Sequence, residues 1–188
     1  MPMKRTITII STLVVLMTLV LVVSIDAQPD NRAKSSAEAS AKQEARRQRR
    51  AERLAAFEKY TDSLVMSRHF RFMPQTMQQL PAGMMRNLAN PHYEVTLMGG
   101  EVDVCIPFLK GYVPPYYPVV FNYVLPMVED YYAEQTNDGW NVTFRTTLFS
   151  ATDYTFSFEI YSHYGGAMLT ISSPFYNSVQ YSGNIMGI

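Results

Sequence analysis

Tyr154-Thr155-Phe156-Ser157-Phe158-Glu159-Ile160, then His163-Tyr164-Gly165-Gly166, then Ala167-Met168-Leu169-Thr170-Ile171: this stretch decides the fold. Large apolar side chains take every second position on both sides of a turn that holds two glycines. Successive side chains of an extended chain point to opposite faces, so a period of two marks strands that bury one face. The same alternation recurs upstream. Phe70 and Phe72 alternate with His69 and Arg71, Tyr93, Val95 and Leu97 with Glu94 and Thr96, and Val102, Val104 and Ile106 with Asp103 and Cys105. Gly99-Gly100 and Asn137-Asp138-Gly139 lie between segments of this kind and supply the positive φ that tight hairpins need. A last segment carries Val179, Tyr181 and Ile185.

About nine strands in series, joined by short turns without helices between them, predict a mainly β (α+β) domain built as an antiparallel meander. A strongly twisted sheet of that size curls into a barrel-like form or folds into two layers. One long helix precedes it. Residues 33–59 are dominated by Ala, Glu, Lys, Arg and Gln and contain no Gly or Pro, a composition of strong helix formers, with Ser35 and Ser36 as candidate caps. Until Leu54 this helix has only alanines to bury, which predicts a solvated stalk. Leu54, Phe57, Thr61, Leu64 and Val65 then form one apolar stripe, so the last turns should dock on the domain and close an open end or cross the sheet.

The N-terminus gives an address. Lys4 and Arg5 precede an uncharged run from Thr6 to Ile25, and Ala27 before Gln28 offers a small residue for cleavage. That is the layout of an export signal, yet a run of about 20 apolar residues also suffices to span a bilayer. Residues 1–27 therefore read as a signal peptide or a signal anchor. Both readings put residues 28 onward outside the cytoplasm, in the periplasm or cell envelope. The organisation that follows is a basic Ala/Arg-rich helical stalk over 28–53 and a β-rich domain over 54–188.

Charge is unevenly spread. Between Gln28 and Tyr60 nine basic residues face five acidic ones, whereas beyond Tyr60 five basic residues face ten acidic ones. The acidic globular part argues against nucleic acid as its partner, while Arg46, Arg47, Arg49 and Arg50 on the stalk suit contact with anionic lipid headgroups. Cys105 is the only cysteine, which excludes an intramolecular disulfide and a thiolate metal cluster.

Asn90-Pro91-His92-Tyr93-Glu94-Val95-Thr96-Leu97, Val102 to Phe108, Asp138-Gly139-Trp140-Asn141-Val142-Thr143-Phe144 and the ending Gly166 to Ile171 with Ile185 resemble the landmarks of the domain of unknown function numbered 4251. The resemblance spans roughly residues 55 to 188. It implies an exported, β-rich protein of a Gram-negative anaerobe, often lipid-anchored in relatives, and implies no active site. The chain departs from the family in Pro107-Phe108-Leu109-Lys110-Gly111-Tyr112, where relatives tend to run Pro-Tyr-Phe-Gly, and in lacking a lipobox cysteine.

Catalytic patterns are thin. His69, His92 and His163 are widely separated and form no close metal pair, and no Gly-x-Ser-x-Gly motif occurs. Glu101 and Asp103 share one face of a strand, as a glycosidase-like pair would and as solvent-face charges also do. Asn141-Val142-Thr143 matches a glycosylation acceptor. Tyr112-Val113-Pro114-Pro115-Tyr116-Tyr117-Pro118 reads as a proline-stiffened aromatic loop, and Tyr112, Tyr116, Tyr117 and Trp140 are the candidate ligand-binding residues, because such rings join an apolar face to a polar tip. The alternative is that they plug a barrel end or cover a sheet edge.

The expected function is an exported, non-enzymatic envelope module that binds a small molecule, a glycan or a protein, without cofactor or metal. A barrel enclosing a hydrophobic molecule is its sharper form. The alternatives are a hydrolase of envelope or dietary glycans using Glu101 and Asp103, and a scaffold tethered to the inner membrane by its N-terminal segment.

Overall fold

The computed structural model describes residues 29–111, 117–148 and 152–188, which form one helix and ten strands. Helix α1 runs from Pro29 to Ser67 and so begins ahead of the expected caps Ser35 and Ser36. Proline fits that start, since its ring presets φ and a first-turn N–H has no intrahelical acceptor to lose. The chain divides after Glu52 into two compact units. In the first, residues 36–52 are exposed on every face, as a helix with only alanines to bury must be. In the second, Thr61, Leu64 and Val65 are buried against the sheet while Leu54 stays 46% exposed, so the docked stripe begins about one turn later than the sequence suggests.

The strands are β1 (His69–Gln79), β2 (Arg86–Asn87), β3 (Glu94–Met98), β4 (Glu101–Lys110), β5 (Tyr117–Leu125), β6 (Glu129–Gln135), β7 (Gly139–Leu148), β8 (Thr152–Tyr161), β9 (Gly166–Ser173) and β10 (Tyr176–Met186). Nine of them form one antiparallel sheet in the order β5-β4-β3-β1-β10-β9-β8-β7-β6, and the two-residue β2 pairs with β1. Two meanders, β3-β4-β5 and β6 through β10, are thus stitched together by β1 against the last strand. Tyr117 and Pro118, expected in a loop, open β5. Val119, Val120 and Val124 with Phe121 and Tyr123 suit a pleated surface, and proline is tolerated at the first residues of an edge strand.

The connection from β5 to β6 explains the curvature. Those strands lie at opposite edges of the sheet, yet Pro126, Met127 and Val128 alone join them. Such a link reaches about 14 Å at most, far less than the width of a flat nine-stranded sheet at about 4.8 Å per strand. The sheet therefore curls into a half-barrel. Val128 donates its N–H to Gly100 O at 2.9 Å, which ties the link to the β3–β4 turn.

The interior is filled by the protein's own side chains. Phe158 of β8 meets Phe70 and Phe72 of β1 edge-on, with centroids 5.5 and 5.6 Å apart. Phe108 and Phe121 stack at 4.5 Å, and Tyr154 of β8 packs against Phe121 at 5.2 Å. The contacts of Phe158 and Tyr154 join β8 to β1 and β5, strands that are not its neighbours in the sheet, so they cross the space a ligand would need. An enclosed hydrophobic ligand is therefore not what the curl accommodates. Tyr181, fully buried, donates its hydroxyl to Pro107 O at 2.6 Å. It seals the gap left where short β3 stops pairing with β4 at Cys105, and burial pushes its pKa well above the usual phenol value.

Candidate functional site

The four expected ligand-binding residues do not converge among the described residues. Tyr112 and Tyr116 lie outside them, and Tyr117 pairs with Lys110 at the start of edge strand β5. Trp140 sits on β7, next to the other edge of the sheet. It is 8% exposed and its indole N–H donates to Asp62 Oδ1 at 2.7 Å. A buried indole needs such an acceptor, so Trp140 acts first as an anchor for the last turns of α1.

Asp62, which holds that indole, also lines a polar cleft of about 110 Å³ between α1 and the β6–β7 and β8–β9 turns. Glu58, Asp62 and Asp138 contribute carboxylates, and His163 Nδ1 lies 2.8 Å from Glu58 Oε1. Gly139 shapes the wall. Among the described residues no group of three or more His, Cys, Asp or Glu is placed to hold a metal ion. His69 is engaged with Ser67 O at 2.6 Å, and His92 is exposed in the turn before β3. Glu101 and Asp103 point to the outer face of β4, where Asp103 faces Thr96 and Val124 across the strands. Asn141 lies between Glu134 and Glu159 in the sheet.

A second feature stands on the outer face. Ile160 points inward, so its neighbour Tyr161 must point out, and the β8–β9 turn brings Tyr164 back beside it. The two rings stack with centroids 5.4 Å apart and planes 12° off parallel. Tyr164 is 67% exposed. Its ring leans over Gly166 so closely that a Cβ there would lie 2.2 Å from it, which is why the turn ends in a residue without a side chain. On one side of the pair is a groove of about 340 Å³ with Gln75, Met168, Ser182 and Asn184 in its walls. On the other is a groove of about 360 Å³ with Thr136, Asp138, Asn141 and Glu159. The Tyr161 hydroxyl lies 3.4 Å from Glu159 Oε2. Its pKa is raised, by desolvation first and then by the Glu159 charge, so the phenol keeps its proton and remains a donor.

Sequence reading missed this pair because Tyr164 was absorbed into a turn. The signal was present in the alternation, which puts Glu159 and Tyr161 opposite Phe158 and Ile160.

Residues 52–185 match the profile of the family described as domain of unknown function (DUF4251). Among solved structures, the fold is similar to the crystal structure of a DUF4251 family protein from Bacteroides eggerthii, with a TM-score of 0.55 and 16% identity over 71% of this chain and 89% of that one. No curated protein matches.

Proposed function

The chain belongs to the DUF4251 family of domains of unknown function, and we propose that it is an exported, non-enzymatic envelope module that binds saccharide on the outer face of its half-barrel. The observation that carries this reading is the Tyr161–Tyr164 ring pair standing between two grooves walled by amides and hydroxyls, with the carboxylates of Asp138 and Glu159 in one of them. Sugars present a flat C–H face that packs on an aromatic ring and a rim of hydroxyls that exchange hydrogen bonds with such groups. Gln75, Ser182 and Asn184 on one side and Asn141 and Glu159 on the other provide donors and acceptors on both flanks. Since the interior is occupied by phenylalanines, the accessible recognition surface is the outer one. Export rests on Lys4, Arg5 and the uncharged run that follows them.

Binding is tested on an array of neutral hexose, xylose and N-acetylglucosamine oligosaccharides. Tyr161→Ala should weaken the best ligand about tenfold, or about 1.4 kcal/mol. Tyr132→Ala, at an exposed ring on β6, should leave it unchanged. Equal binding by wild type and the Tyr161 variant, or no bound sugar at all, removes the reading.

Export is tested separately by fractionating cells that express the full chain. Recovery from the periplasm with Gln28 as the first residue, or from the membrane with Met1 intact, is the expected outcome. Recovery in the cytosol with Met1 intact would refute it. An intact, membrane-held N-terminus would also bring Arg46, Arg47, Arg49 and Arg50 near the lipid surface.

A further inference from the structure

The two edges of the half-barrel are unlike. Edge strand β6 carries Glu129, Asp130 and Glu134 in seven residues, and inter-chain pairing there would set carboxylates against one another. Edge strand β5, Tyr117-Pro118-Val119-Val120-Phe121-Asn122-Tyr123-Val124-Leu125, has no charge and no glycine in nine residues. Among the described residues no strand pairs with β5 on the side away from β4. On its outer face Val120 and Val124 are 51% and 60% exposed. Val120 continues an apolar strip on β4, where Pro107 faces it and Cys105 faces Asn122, while Val124 lies beside Asp103. Long edges of this composition add a further strand readily unless something blocks them.

We infer that β5 is the interface of a symmetric homodimer, in which a second copy's β5 pairs with it antiparallel about Asn122. The strand is self-complementary in that register. Val120 meets Val124 of the second copy twice over on the outer face. On the inner face Phe121 meets Tyr123, and Val119 meets Leu125, of the second copy. Val119, Tyr123 and Leu125 are only partly buried within one chain, so the pairing completes their burial. Asn122 opposite its own copy is the one polar pair, and two carboxamides satisfy each other. The paired stretch runs from Val119 to Leu125 and stops short of Pro118, the one residue of the strand with no N–H to give. An acidic partner strand would gain no such matches, and two acidic globular parts meet with little repulsion at an uncharged edge.

Sedimentation analysis of the full chain, recovered as the expressing cell processes it, tests the interface. The wild type should show twice the chain mass. In V120K/V124K each lysine faces a lysine of the second copy, and two opposed like-charge pairs should raise the dissociation constant at least about tenfold. In V120K/V124E each lysine instead faces a glutamate, and the dimer should return. Both variants change exposed positions, and unchanged far-UV circular dichroism would confirm their fold. A monomeric wild type overturns the inference, as does a dimer indifferent to V120K/V124K. If V120K/V124E dissociates as fully as V120K/V124K, the register about Asn122 is wrong and the proposal falls with it.

Discussion

Phe158→Ala is expected to lower the unfolding free energy by about 3–5 kcal/mol, the range for deleting a buried phenylalanine. The position justifies the upper half of it. Phe158 is 1% exposed and meets Phe70 at 88° and Phe72 at 80°, with Phe144 tilted alongside at 6.1 Å. Edge-on ring pairs contribute beyond the area they bury, and alanine would lose both. The cavity would be slow to collapse, because its walls belong to β1 and β7–β8, each held on both sides by neighbours in the sheet. Phe121 sits on an edge strand whose backbone has one neighbour within the chain, so in the monomer the hole left by Phe121→Ala should cost less. Urea titration would show a lowered midpoint with an unchanged slope for Phe158→Ala. If that variant does not fold, Phe158→Leu still discriminates, with an expected loss of about 1–2 kcal/mol from imperfect shape. A loss below about 1 kcal/mol for the alanine variant would show that the half-barrel is loosely packed.

How much of this was legible in the sequence depends on the scale of the signal. Alternation at Phe70/Phe72, Val102/Val104/Ile106 and Phe156/Phe158 records which face is buried, and burial of one face is what an antiparallel strand imposes on its side chains. The turns were equally readable, since Gly99 at φ 71° and the Asn137-Asp138-Gly139 corner need backbone that few other residues adopt. The strand order was not. No local pattern says that β1 pairs with β10, or that Pro126-Met127-Val128 must join two opposite edges, because those are facts about closure of the whole sheet. Strand β5 escaped for a different reason. At Tyr117-Pro118 the dense Tyr and Pro composition conceals the alternation of Val120, Asn122 and Val124, and proline is a strand breaker except at edges.

The surface was harder still. Tyr161 and Tyr164 are three residues apart across a turn, and their stacking depends on the path that Gly165 and Gly166 give the chain. Gly165 adopts φ 68° and has Phe57 against its Cα, so a helix residue more than a hundred positions away helps set the turn. Trp140 was a reasonable candidate by type. Its hydrogen bond to Asp62 is a tertiary contact that no local pattern announces, and Trp140 also lines the groove beside Tyr161.

Gly139→Ala should be among the most damaging single-methyl additions in the domain, at about 3 kcal/mol or more. A Cβ at residue 139 would lie 1.9 Å from Ile160 O and 2.8 Å from Ser162 N. Both are backbone atoms of the adjoining β8 segment, so no side-chain rotation relieves the contact. The residue also has φ 156°, a conformation that strains any L side chain by about 1–3 kcal/mol. Overpacking adds about 1–3 kcal/mol more. To admit the methyl, β7 must draw away from β8 where Gly139 faces Tyr161, which loosens the Asp138 O to Ser162 N hydrogen bond at 3.0 Å. That region holds both a wall of the acidic cleft and the root of the tyrosine pair, so saccharide binding should weaken together with stability. Gly100→Ala is the matched control. It lies in the other hairpin turn with nothing within 4 Å of its Cβ position, and there the lower entropy of the unfolded chain should leave stability unchanged or raised by up to about 1 kcal/mol. Thermal and urea unfolding of the two variants should differ by at least about 3 kcal/mol. A difference under about 1 kcal/mol would mean that β7 and β8 approach less closely than the backbone contacts at Gly139 require.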